Sequence, residues 1–183
     1  AMMNLAEYRH SNARLADFLP WAALVDEGII LNKDGSFQRT AKFRGPDLDS
    51  AVPAELVAVA GRLNNALRRL GSGWAVFVEA QRHSAGAYPP NTFPDVASAL
   101  VDAERRAQFE SSYFLTFLYL PPEEGAAKAE RLLYEGRDRT VGADAREVLR
   151  GFIDQTNRVL QLVEGFMPDC AWLDDQATLT YLH

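Results

Sequence analysis

The stretch Arg69–Gln81, RLGSGWAVFVEAQ, sets two glycines and a serine against an apolar run, as nucleotide-binding loops do. A loop that cradles phosphate follows a strand and opens a helix, so that the helix N-terminus aims its free N–H groups at the anion. Here the order is reversed. Upstream, Leu56, Val59, Ala60, Leu63, Leu67 and Leu70 recur at helical spacing after Pro53, a good first residue of a helix. Downstream, Trp74–Ala80 reads as a strand. Gly71-Ser-Gly73 therefore lies at the carbonyl end of a helix dipole, which repels phosphate, and Gly71 is expected to close that helix. Gly-x-x-x-x-Gly-Lys-Ser/Thr occurs nowhere in the chain. The loop turns the chain and holds no phosphate.

The residues on both faces of Trp74–Ala80 are mostly apolar, which predicts a central position in a sheet. Ahead of the helix, Ala22–Leu31 is rich in Val, Ile and Leu and suits one strand. Asn32-Lys-Asp-Gly-Ser36 supplies turn chemistry, with Gly35 free to take positive φ. Phe37, Ala41 and Phe43 then alternate with Gln38, Thr40, Lys42 and Arg44, the period of a half-buried strand. Arg39 falls on the apolar side, where a charge discourages edge-to-edge pairing. A short helix is expected over Leu5–Leu19, ended by Pro20.

Beyond Gln81, His83–Phe93 reads as a loop with Gly86, Pro89 and Pro90, and Asp95 as the cap of a helix running to about Phe109. Ser112–Leu120 is a strand apolar on both faces. Glu123–Leu133 holds helix formers and Gly136–Arg139 a solvated loop. Asp144 and Glu147 resemble a capping box for a long helix, whose buried stripe is Leu149, Phe152, Ile153, Thr156, Val159, Leu160, Val163 and Phe166. Pro168 ends it, Cys170–Leu173 makes a short strand, and Asp174–His183 starts another helix. The prediction is an α+β fold: an antiparallel or mixed sheet of about five strands with helices on one face, built from split βαβ, ferredoxin-like units plus an N-terminal hairpin. Residues 1–183 read as one domain, with Ala1 before Met2-Met3 a cloning scar.

Composition narrows the function. Of 183 residues 48% are hydrophobic and 24% charged, the balance of a globular chain with a real core. A net charge of −6 gives no global pull toward nucleic acid or anionic lipid. Cys170 is the only cysteine, which excludes an internal disulfide and a cysteine-based zinc cluster and fits a reducing compartment such as cytoplasm. The most apolar run, Tyr113–Leu120, stops at Pro121-Pro122, far short of the roughly 20 residues of a spanning helix.

Candidate sites are sparse. His10, His83 and His183 are scattered and show no metal or triad spacing. Cys170 beside Trp172 suits a small core residue better than a nucleophile. The carboxylate pairs Glu123-Glu124 and Asp174-Asp175 do not aim at one spot, and the second suits helix capping. Arg62, Arg68 and Arg69, with Lys42 and Arg44, form either a basic patch for DNA or a solvated helix face, and no aromatic interleaves with them. Phe18-Leu-Pro-Trp21 sets two large aromatics beside a proline, either as core packing or as a partner's docking point.

An extended resemblance joins these stretches. LPWAALVDEGIILNKDGSFQRTAKFRGPDLDS (Leu19–Ser50), LVAVAGRLNNALRRLGSGWAVFVEAQR (Leu56–Arg82), FLTFLYLPP (Phe114–Pro122) and DDQATLTYLH (Asp174–His183) are similar to the N-terminal domain of TrbE-like members of the TrbE/CagE/VirB family of type IV secretion ATPases. The Lys33-Asp-Gly-Ser36 hairpin is its most specific element. The resemblance implies a motor at the cytoplasmic face of the bacterial inner membrane that powers pilus assembly and substrate transfer in conjugation. It implies ATP and Mg in a separate, later P-loop domain, so no cofactor, metal or catalytic residue carries over to any position here. An end at His183, just inside a helix, agrees with an excised domain. The resemblance further implies contacts with other secretion subunits, including a small TrbD-like membrane protein, and homo-oligomer assembly. Two rival readings stand beside it: a stand-alone α+β enzyme with a carboxylate site, and a DNA-contacting module.

Overall fold

Asn32 and Ser36 close the hairpin that the sequence marks most clearly. In the computed structural model Asn32 N–H donates to the Ser36 carbonyl at 2.8 Å, and Asp34 Oδ1 accepts from Ser36 N–H at 2.9 Å and from Ser36 Oγ at 2.6 Å. Gly35 takes φ 80°. The structure describes residues 18–45, 51–84, 95–97, 99–100, 109–122, 141–167 and 169–183, without the side chains of 141–144. The helix expected over Leu5–Leu19 and the segment Glu123–Arg139 lie essentially outside the described residues.

The described elements are β1 (Trp21–Asp26), β2 (Ile29–Asn32), β3 (Phe37–Phe43), α1 (Pro53–Leu67), β4 (Trp74–Ser84), β5 (Phe109–Tyr119), α2 (Val141–Glu164), β6 (Ala171–Trp172) and α3 (Asp175–Leu182). Six strands form one sheet in the order β1-β2-β3-β5-β4, with β6 also paired to β3, and every pairing is antiparallel. The fold is α+β, as expected. β3 and β4 both run antiparallel to the β5 between them, so β3-α1-β4 is a split βαβ unit. β5 and β6 flank β3 in the same way, which makes β5-α2-β6 the second unit, and their interlocking is the ferredoxin-like arrangement. β4 and β5 are longer than expected: their mutual ladder carries β4 on through His83 to Ser84 and starts β5 at Phe109.

The single strand expected over Ala22–Leu31 is a hairpin. Gly28 takes φ 64°, and the chain reverses between Asp26 and Ile29. A Cβ there would run into the Leu173 carbonyl, so the position demands glycine twice over. Asp26-Glu-Gly28 is the turn signal, hidden by apolar residues on both sides.

Phe37, Phe152, Trp74 and Tyr119 build one apolar cluster with Ile29, Leu31 and Leu149. Their rings stack: Trp74–Tyr119 centroids lie 4.6 Å apart, Trp74–Phe152 5.6 Å and Phe37–Phe152 5.6 Å. A second cluster joins Ala66 of α1 and Val159 and Val163 of α2 to Leu115 and Phe117 of β5. The predicted stripe of α2 is therefore its buried face, with Ile153 and Phe166 half-buried at its margin. The helix is already under way at Val141, so Asp144 is no N-cap, and it ends at Glu164, ahead of Pro168.

Strand alternation puts Thr40, Phe114 and Thr116 on the face opposite Leu115 and Phe117. There α3 lies, with the Tyr181 ring tilted against Phe114 at 4.8 Å between centroids and its hydroxyl 3.4 Å from Thr116 Oγ1. Helices α1 and α2 thus share one face, and the short closing helix straps the other.

Candidate functional site

Helix α1 ends at Leu67, and the turn that follows it is closed by Leu70 N–H donating to the Leu67 carbonyl at 2.9 Å. Gly71-Ser-Gly73 then leads into β4, the helix-to-strand order read from the sequence. Gly71 does not close the helix: the left-handed residue is Gly73, at φ 84°. Gly73 leaves room for a backbone crossing. Its carbonyl accepts from Leu120 N–H at 2.8 Å, and a Cβ would collide with the Leu120 carbonyl. The loop pins β4 to the end of β5, and a carbonyl-rich helix end faces any approaching anion.

The carboxylates that acid/base chemistry could have used are engaged as caps and clamps. Asp174 Oδ1 accepts from Ala177 N–H at 2.7 Å, the N-cap of α3. Asp175 Oδ1 accepts from Gly28 N–H at 2.8 Å, tying α3 to the β1–β2 turn. Glu55 accepts from Val52 N–H at 3.1 Å at the start of α1, where Pro53 stands as expected. Glu123 and Glu124 lie outside the described residues. Among the described residues no group of His, Cys, Asp and Glu could hold a metal ion.

A shallow groove of about 710 Å³ runs beside α3 on the strapped face of the sheet, lined by Lys42, His83, Phe114, Asp174, Tyr181 and His183. It brings together two histidines that the sequence holds a hundred residues apart, and no spacing signal could have announced that. His10 lies outside the described residues. At the groove's rim Tyr181 donates to Glu79 Oε2 at 2.7 Å, and Gln81 Nε2 donates to Glu79 Oε1 at 3.0 Å. These two bonds, Gln81's first, hold the Glu79 carboxyl below the ordinary carboxylate range, while burial pushes the Tyr181 phenol up.

Arg39 is the main correction within the sheet. β3 is an interior strand, with Arg39 opposite Ile29 on one side and Phe117 on the other, so it guards no edge. Its guanidinium carbon lies 4.0 Å from the Trp172 ring centroid, and Nη1 donates to Asn157 Oδ1 at 2.8 Å. Asn157 Oδ1 also accepts from Trp172 Nε1 at 3.0 Å. Burial pulls the arginine pKa down, and the charges of Asp26 and Glu27 oppose it.

Cys170 is half-buried, and burial, aided by the charge of Glu164, pushes its thiol up to about 11. It is protonated at neutral pH and packs against the cluster of Val159 and Val163. Lys42 lies on the α3 face of the sheet and α1 on the other, so Lys42 and the exposed Arg62, Arg68 and Arg69 do not make one patch. Trp21, the first residue of β1, is half-buried, and Phe18 is 74% exposed. No described helix is long and apolar enough to cross a membrane.

Comparison with known proteins follows the same outline. Residues 28–127 match the family described as type IV secretion system ATPase VirB4/TrbE, N-terminal domain. The chain is 38% identical over 170 residues to the conjugal transfer protein TrbE of Rhizobium radiobacter, an alignment that covers 87% of this chain and 21% of that protein. It is also 38% identical over 146 residues to the first portion of a probable conjugal transfer protein TrbE of Sinorhizobium fredii, covering 74% of this chain and 98% of that portion.

Proposed function

As the chain belongs to the VirB4/TrbE N-terminal domain family of type IV secretion system ATPases, we propose that it is a non-catalytic assembly and docking domain of a conjugal transfer ATPase. The chain spans about a fifth of the length of the Rhizobium radiobacter relative, so the activity of the whole protein is included in the proposal. In this reading a P-loop domain beyond these residues binds ATP and Mg and powers pilus assembly and transfer. These residues hold the motor to its partners at the cytoplasmic side of the inner membrane, including a small TrbD-like membrane subunit and further copies of the motor.

The observation that carries the reading is the polarity of Gly71–Gly73: a turn that leaves a helix and enters a strand offers an anion no converging amides. The carboxylates spent on capping at Asp174 and Glu55, and the protonated Cys170, support it. Calorimetric titration of the chain with ATP and Mg is expected to give no binding heat, and tight binding would overturn the reading.

The exposed Phe18 and the half-buried Trp21 are the proposed contact residues. Phe18→Ala and Trp21→Ala are expected to weaken capture of the small membrane subunit by about tenfold or more, as loss of an aromatic anchor does. The melting temperature should move far less. Equal loss of both would make the pair packing residues only.

A further inference from the structure

β4 has the composition of a strand paired on both sides and the position of one paired on one. Its eleven residues match β5 without interruption, from Trp74 opposite Tyr119 to Ser84 opposite Phe109, and among the described strands nothing pairs its outer side. Phe77 and Val78 stand on opposite faces of that edge, 56% and 70% exposed. The far edge of the sheet is protected: β1 shows register shifts at Trp21/Ala23 and Leu24/Asp26, irregularities that discourage further pairing. β4 carries no bulge, proline or lysine. A long, regular edge, apolar over Trp74–Val78, is a template for another strand.

We propose that this edge pairs with the same edge of a second copy of the chain, antiparallel about a two-fold axis at Ala80, so that two sheets become one. The proposal names one partner within the assembly role given above and rests on that role.

Self-complementarity selects the occupant and the register. A two-fold axis normal to the sheet keeps each side chain on its own face, so residues that oppose each other are an even number apart. An axis at Glu79 would set carboxylate against carboxylate, and one at Arg82 would set guanidinium against guanidinium, both destabilising. An axis at Gln81 leaves Phe77 outside the ladder formed by β4, one at Val78 sets Phe77 against Glu79, and one at Phe77 shortens the ladder to Trp74–Ala80 and leaves Gln81–Ser84 unpaired. With the axis at Ala80 the ladder covers Val76–Ser84. Phe77 then meets the partner subunit's His83, and Val78 meets the stem of the partner subunit's Arg82. Glu79, which already accepts from its own Gln81, has lone pairs left for the partner subunit's Gln81. Only a methyl group sits at the axis. Within its own chain Arg82 lies over the Phe109 ring, 4.0 Å from guanidinium carbon to ring centroid.

Sedimentation equilibrium of the chain tests the pairing. The wild type is expected to dimerise. Val78→Lys sets ammonium against guanidinium twice per dimer and is expected to weaken association by about tenfold. Val78→Glu sets carboxylate against guanidinium and is expected to tighten it. Both changes fall on an exposed side chain, and unchanged melting temperatures at a concentration where the chain is monomeric will show that the fold survives. A wild-type chain that stays monomeric at its highest soluble concentration overturns the proposal, and so does weakening by Val78→Glu. A monomer that still captures the small membrane subunit defeats the edge pairing and leaves the docking role standing, whereas nucleotide binding by a dimer does the reverse.

Discussion

At the scale of single residues, Asn157 joins sheet to helix. Its side-chain oxygen accepts from Arg39 and from Trp172, and Asn157→Ala strands Trp172 Nε1 and leaves Arg39 Nη1 only its longer bond to Thr156 Oγ1, at 3.4 Å. The expected cost is about 1–3 kcal/mol, read by urea denaturation. Gly73→Ala is expected to cost about 1–3 kcal/mol as well, because it forces an L-residue to positive φ and into the Leu120 carbonyl. Cys170 makes a prediction in pH. Its folded-state thiol ionises at about 11 against an ordinary 9.0, so its contribution is intact below pH 9 and is lost as pH rises through about 11. Cys170→Ala should flatten that alkaline decline in a thermal melt series, and the native thiol should react slowly with iodoacetamide at neutral pH. Gly35 is legible in the sequence because a turn residue announces itself locally. Arg39 is not: its partner lies on a helix 118 residues downstream, and only the fold could turn an edge guard into a half-buried hydrogen-bond donor.

Among elements, α2 is the most legible, since a helix that buries one stripe writes its period into the sequence. Phe152, 1% exposed and stacked on Phe37 and Trp74, fills the middle of that stripe, and Phe152→Ala is expected to cost about 3–5 kcal/mol. β4 reads as central because both its faces are apolar, and it lies at an edge. The first strand reads as one run, and Gly28 cuts it in two. The Asp174 cap announces α3 but not the face it covers, because the contacts of α3 reach Gly28 and Glu79 far back in the chain. Glu79, held ionised by Gln81 and Tyr181, supports α3 at pH values above its unfolded pKa, and the support fades as pH falls through its lower folded value. Glu79 is exposed to solvent, so the effect is small. Tyr181→Phe should remove one of the two bonds and shrink the acid-side slope of stability.

For the molecule as a whole, the split βαβ units are legible in the order of elements, since helices between strands leave few ways to close a sheet. The groove beside α3 is not, for it depends on four separate stretches meeting. The same topology governs synthesis. β3 lies at the centre of the sheet, yet its partners β5 and β6 come after it in the chain, and Leu173 N–H reaches back to the Thr40 carbonyl at 3.0 Å. A nascent chain leaving the ribosome therefore carries an unfinished centre until residues 171–173 have emerged. Ribosome-bound chains stalled with β5 exposed but β6 still in the tunnel should stay sensitive to protease, and a short further extension that frees Trp172 should make them resistant. For this domain the last strand out is the latch.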